Sequence, residues 1–247
     1  YYISSSNKTK LKNANITAEI NRFIIVDSES ENEAVMEKTD GKWNVITYSF
    51  VTTGKDDGAS SYATPYGDFL VAYSKQTGTK FYINFLYVLT KALNTRDDYK
   101  MRYLYQEDKL VVFDKINTAH YVFHEDTETF TVVYTEFSED YQAFYDRCCA
   151  DMEKAKQTRS YGLDGSKLNY FDASYIPWLS YEALHVELPD GHLHFPPIIN
   201  WGKYHSENGR LLMPVTVRMN HAVADGYIVS KAFLLLEKEI ERLVGAG

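Results

Sequence analysis

Along residues 80–94, KFYINFLYVLTKALN, the apolar positions Phe81, Phe85, Val88, Leu89 and Leu93 fall at helical spacing and stop at Asn94, which predicts a helix with one buried face. The stretch before it, DFLVAYSKQTG, closes on Gly78, a residue suited to a helix C-terminus. MRYLYQEDKLVVFD reads as two strands around a Glu107–Asp108 turn, HYVFHEDTETFTVVYTEF as further strand, and EDYQAFYDRCCADMEKAKQ as a helix. YEALHVEL and FPPIINWGKYH read as two more strands. A hairpin signal follows at Glu207–Asn208–Gly209, and RLLMPVTVRMNH is the next strand. The last element is a helix from about Tyr227 to Val244, with Val229, Phe233, Leu236, Ile240 and Leu243 near one face.

Residues 1 to about 70 have a different texture. Short β-like runs alternate with turn clusters at Asp40–Gly41 and Asp56–Asp57–Gly58, as in a small antiparallel meander. The chain is therefore expected to divide into a β-rich segment, 1–70, and a larger domain, 71–247. Strands and helices are interleaved, yet many strands are joined by short turns. That pattern points to an α/β fold, a two-layer sandwich of helices on a mixed, largely antiparallel sheet, and away from a doubly wound parallel sheet.

Composition narrows the function classes. The 21 tyrosines lift the aromatic share to 15%, which suits strands and an aromatic-lined cavity. A net charge of −8 argues against a general nucleic-acid surface. No apolar run is long enough to span a membrane and no secretory leader is legible, so the expected location is cytoplasmic. The two cysteines, Cys148–Cys149, are adjacent, a spacing that disfavours a disulfide between them and suits two semi-buried thiols. His192 and His194 lie two apart on a possible strand without a third ligand at sensible spacing, so no metal site is expected. HEDTE at His124 lacks the second histidine of a zincin helix.

The chemistry concentrates in VTVRMNHAVADGYIVSKAF, residues 215–233. Period two puts Val217, Met219 and His221 on one face of a strand and Arg218 and Asn220 on the other. Asp225 stands just before the helix, placed to cap free amides or to pair with a cation. On this stretch alone His221 reads first as a packed histidine at a strand end, ahead of a base held in position.

Several segments, in order, resemble the chloramphenicol acetyltransferase family over about residues 70–247. HAVADG is similar to the family's histidine motif, ASYIPWLSYEAL to its serine–xx–Pro–Trp segment, and INWGKYHSENGRLLMP to its strand, turn and strand. VFHEDTETF and TKFYINFLYVLTKALN match two earlier stretches. The resemblance implies the coenzyme-A-dependent acyltransferase fold, acetyl-CoA as co-substrate, no metal, and transfer of acetyl to a hydroxyl of chloramphenicol or a related small molecule. It implies His221 as general base, Ser174 as oxyanion donor and Asp225 as structural support of the loop. Trp178, Lys203, Tyr204 and Lys80 would line the coenzyme side, and Phe123, Phe130 and Leu184 the acceptor pocket, with Asn200 beside the transition state. A homotrimer with active sites at subunit interfaces, and no nucleic-acid or membrane partner, is the implied assembly.

The chain departs from that pattern in three places. Asn220 replaces the first histidine of the usual pair, and Asn200 stands where the family commonly has threonine. The family's opening Trp-x-Arg-x-Glu segment, whose arginine pairs with the motif aspartate, has no counterpart. Residues 1–70 instead weakly resemble part of an L,D-transpeptidase domain, through RFIIVDSES, TGK and ATPYGDFLV, without its Ser-His-Gly-Cys run. These departures leave two alternatives beside the enzyme: a non-catalytic acetyltransferase-like binder, and a fusion with a cell-wall-binding N-terminal module.

Overall fold

A computed structural model describes residues 66–245 except 160–162, 187, 189–192 and 208, with side chains from Asp68 onward. Before them it describes the backbones of β1 (Tyr2–Ser4), β2 (Arg22–Val26), β3 (Glu33–Thr39), β4 (Lys42–Val51) and β5 (Asp57–Thr64). Helix α1 (Tyr66–Thr77) ends at Gly78, whose φ of +67° is the left-handed stop that the glycine signalled. Helix α2 (Phe81–Leu93) is followed by the hairpin β6 (Met101–Leu104) and β7 (Lys109–Val112). Strands β8 (Asn117–His124) and β9 (Thr129–Thr135) precede α3 (Tyr141–Thr158). Then come β10 (Tyr170–Ile176), β11 (Ile198–Gly202), β12 (His205–Glu207), β13 (Arg210–Asn220) and α4 (Gly226–Gly245).

The main sheet has the order β1-β2-β3-β4-β5-β13-β11-β10-β8-β9, with β12 paired to the start of β13. Only β1–β2, β8–β10 and β10–β11 are parallel, so the sheet is mixed and largely antiparallel, as the sequence predicts. Strand β5 joins β13 over its whole length, from Thr64 beside Met213 to Asp57 beside Asn220.

The four described α-helices pack on one face. Alternation on the strands decides which side chains they cover: Phe171 and Ala173 of β10, Ile199 and Trp201 of β11, and Met213, Val215, Val217 and Met219 of β13 are buried there. Phe85 of α2 meets Trp201 at a ring separation of 4.9 Å, and Leu86, Val88 and Leu89 are fully or nearly excluded from water. Burying each such side chain contributes about 1.5–3 kcal/mol, so this layer dominates the stability of the fold. Asp140 caps α3 by accepting the Ala143 N–H at 2.7 Å.

Two expectations fail here. YEALHVEL is not a strand: residues 181–186 and 188 are irregular. Parallel neighbours need a crossover from the end of one strand to the start of the next. Residues 177–197 make that crossover from β10 to β11, and YEALHVEL is spent in it. Conversely, YFDASYI forms the strand β10, although Asp172 and Ser174 interrupt its apolar character.

Candidate active site

The other sheet face, away from the helices, carries the polar residues. Strand β13 stops at Asn220, whose carbonyl accepts the N–H groups of Val223 and Ala224 (both 3.1 Å) while its side-chain Oδ1 accepts that of Ala222 (2.9 Å). Asparagine in place of histidine thus closes the turn with its own amide. His221 consequently sits in the turn rather than on the strand, and it is exposed while Val217 and Met219 are buried. Period two does not reach it, because the extended backbone has already ended. No hydrogen bond joins its ring to another described residue. Asp225 accepts the N–H of Ile228 at 2.9 Å and caps α4; among the described residues it has no ion pair.

Ser174 lies on β10 level with Asn200 of β11, and Asn200 is level with Thr216 of β13. Ser174 is half-buried and Asn200 is buried, and the Asn200 Nδ2 group has no hydrogen-bond partner. The Thr216 hydroxyl is directed at Tyr181 Oη, 3.4 Å away in the crossover. The crossover lies flat on the sheet at Gly202: a Cβ there would meet Leu179 O at 2.7 Å, the Tyr181 ring at 2.8 Å and Pro214 at 2.9 Å. The Lys203 N–H donates to Leu179 O at 2.7 Å and fastens the same point.

Beside Ser174 the face turns aromatic. Phe123 packs edge-on against Trp178 at 4.9 Å and beside Phe130 at 5.0 Å, with Phe130 and Trp178 6.4 Å apart. Trp178 therefore shares one wall with the two phenylalanines, although the resemblance puts them on different sides of the site. Leu184 is half-buried in the crossover. Asp172, two residues before Ser174 on the same face, was not picked out from sequence. Its Oδ1 accepts from Tyr121 Oη at 3.2 Å, and its Oδ2 lies 3.8 Å from His194 Nε2. Burial pushes its carboxyl above the usual carboxylate range, opposed by the Tyr121 hydrogen bond and the Arg102 charge. His192 lies outside the described residues.

Lys80, Lys203 and Tyr204 gather at another edge. Phe81 meets Tyr204 edge-on at 6.0 Å, and the residues that precede them in the chain, Lys80 and Lys203, are both exposed. The Lys80 N–H donates to Tyr145 Oη at 2.9 Å, which fixes the start of α2.

Behind this face, on the helix side, runs a buried polar chain. The Thr135 hydroxyl donates to Asp151 Oδ2 at 2.8 Å, so its oxygen accepts from His120 Nε2 at 3.0 Å. His120 Nδ1 is then left to accept from Tyr82 Oη at 3.1 Å. Burial pushes the His120 pKa down to about 3 and keeps the ring neutral. Burial also pushes the Cys148 thiol up to about 12, which favours its protonated form.

A family model described as chloramphenicol acetyltransferase matches residues 65–237. A chloramphenicol acetyltransferase of Clostridium perfringens is 29% identical over 160 residues, 64% of this chain and 73% of that protein. One of Campylobacter coli is 31% identical over 158 residues, 64% of this chain and 76% of that protein. A solved chloramphenicol acetyltransferase superposes with a TM-score of 0.64 at 18% identity, covering 75% of this chain and 89% of that one. The L,D-transpeptidase likeness of residues 1–70 is not borne out: the family model matched is chloramphenicol acetyltransferase and begins at residue 65.

Proposed function

The chain belongs to the chloramphenicol acetyltransferase family, and on that premise we propose that it moves acetyl from acetyl-CoA to a hydroxyl of chloramphenicol or a related small molecule. The observation that carries the reading is the polar face of the sheet. It offers a half-buried serine and a buried amide beside an aromatic wall, while an exposed imidazole stands on the turn after β13.

His221 takes the proton of the acceptor hydroxyl as its oxygen attacks the thioester carbonyl, work suited to an imidazole because its ordinary pKa lies near neutrality. Ser174 donates to the carbonyl oxygen as negative charge builds on it. Phe123, Phe130, Trp178 and Leu184 hold the apolar body of the acceptor. Lys80 and Lys203 hold coenzyme phosphates, with Tyr204 against Phe81 shaping the entrance. Asp225 holds the turn by capping α4.

The site is built between copies of the chain. Thr216 is level with Asn200 and so with Ser174, β13 runs four residues further to Asn220, and His221 follows on the turn. At about 3.3 Å per residue the four extended steps alone span roughly 13 Å, beyond the reach of the two side chains. A cyclic homotrimer, in which His221 of one copy faces Ser174 of the next, brings them together. Trp178 and Leu179, 54% and 63% exposed, offer apolar surface for such a contact. The described helices include none long and apolar enough to cross a membrane, and cytoplasmic residence is part of the proposal. So is a division into a segment of residues 1–70 and an acetyltransferase-like domain of 71–247.

Mixing protein, acetyl-CoA and chloramphenicol should release free thiol and give an acetylated product by mass spectrometry. The absence of an ion pair to Asp225 among the described residues favours a second reading, a binder that holds these ligands without turnover. Calorimetric binding of chloramphenicol with no thiol release would select that reading.

A further inference from the structure

We propose that Asp172 selects the acceptor: its Oδ2 receives a hydrogen bond from a second donor group of the alcohol, best an ammonium, on the side of the reacting hydroxyl away from the coenzyme. The inference rests on the acetyl-transfer reading and names the class of acceptor that this chain prefers. Asp172 lies on β10 two residues before Ser174, so the two share one sheet face about 6.5 Å apart along the strand.

One oxygen of this carboxyl is engaged and the other is not. Oδ1 accepts from Tyr121 Oη at 3.2 Å. Oδ2 accepts no hydrogen bond from a described residue, since His194 Nε2 at 3.8 Å is too far for one. Arg102, whose charge acts on the carboxyl, is spent on Tyr170: its Nη2 donates to Tyr170 O at 3.2 Å, and the guanidinium lies over that ring at 4.3 Å. The Asp172 side chain is 23% exposed, and Oδ2 is not among the polar atoms that the fold seals without a partner. It is therefore open to a ligand atom. A partly desolvated carboxylate with an unused oxygen gains most from a charged donor.

The strand register says which ligand brings that donor. Lys203 and Tyr204 follow Gly202, which is level with Ile176, past Ser174 in the direction of β10. Asp172 is level with Ile198, on the opposite side of the Ser174–Asn200 pair. With the coenzyme phosphates held at Lys203, the group that reaches Asp172 belongs to the acceptor. Tyr121, which holds Asp172, packs edge-on against Phe130 at 6.4 Å, so the carboxyl adjoins the wall that takes the acceptor's apolar body. An aryl alcohol with a second donor beyond its reacting hydroxyl engages the wall, Ser174 and Asp172 together.

Steady-state kinetics on the full chain tests this with two aryl alcohols that differ only in a dimethylammonium or an isopropyl group, placed about four carbons from the hydroxyl to match the strand spacing. The tertiary amine donates a hydrogen bond but cannot itself be acetylated. Wild-type kcat/KM should favour the ammonium roughly tenfold or more, with the difference lying in KM. Asp172→Asn, whose amide oxygen still accepts from Tyr121, should bring that ratio to within about twofold, and Asp172→Leu should reverse it. A purely structural Asp172 would lower both rates together and leave the ratio where it was. The wild-type comparison decides even if a variant fails to fold. Turnover of both alcohols by the wild type without that preference, or a preference that survives Asp172→Asn, overturns the inference alone. A wild-type protein that acetylates neither chloramphenicol nor either alcohol overturns the functional reading and this inference with it.

Discussion

Ser174 stands level with Asn200 and Thr216 across three adjacent strands, while His221 lies five residues past Thr216 on the turn that follows β13. Strand pairing holds the first position and the Asn220 turn holds the second, so no rotation of either side chain brings them together. The proposed base and oxyanion donor are therefore partners only across copies. Sedimentation should give a particle three times the mass of the chain, and specific activity should fall on dilution as copies separate. A fully active monomer would remove this geometry.

Asp225 is expected to act through its cap on α4. Asp225→Ala should lower stability by about 1 kcal/mol, whereas Asp225→Asn should keep most of it, since an amide oxygen accepts the same N–H. Thermal unfolding of the two variants separates capping from a need for charge. Equal losses in both would show that the charge matters.

Gly202 is where the crossover touches the sheet, and Leu179 O, the Tyr181 ring and Pro214 leave no room for a Cβ. Gly202→Ala should cost on the order of 1–3 kcal/mol and weaken acceptor binding by displacing the crossover. Gly165→Ala, with nothing within 4 Å of the added Cβ, is the matched control and should change neither. Melting curves and acceptor KM for the pair provide the check.

His120 makes the fold acid-sensitive. Its folded pKa of about 3 lies below the ordinary 6.5, so between those values the unfolded chain binds a proton that the folded chain does not. Stability due to this group is intact above pH 6.5 and is lost as pH falls toward 3, by up to about 1.4 kcal/mol per pH unit. His120→Gln should flatten that slope in denaturant titrations run across the window. An unchanged slope would show that other groups set it.

Much of the fold was legible because its signals are local. The spacing of Phe81, Phe85, Val88, Leu89 and Leu93 marks α2, Gly78 marks the end of α1, and the Glu107–Asp108 turn separates β6 from β7. The misses are non-local. YEALHVEL alternates like a strand but is needed as the crossover between parallel neighbours, and β10 hides because Asp172 and Ser174 serve the polar face. His221 left its expected face because Asn220 ends the strand one residue earlier. Asp172 with Tyr121 and His194, and the Asp151–Thr135–His120–Tyr82 chain, arise from register between distant segments, which single-sequence periodicity does not encode.

The most direct measurement is acetyl transfer by mixed oligomers of His221→Ala and Ser174→Ala chains, each nearly inactive alone, refolded together in equal amounts. Random assembly in a cyclic trimer pairs an intact histidine with an intact serine at about a quarter of sites, so thiol release should recover to about a quarter of the wild-type rate. A mixture no more active than its two components, or a His221→Ala protein that turns over like wild type, would contradict the account.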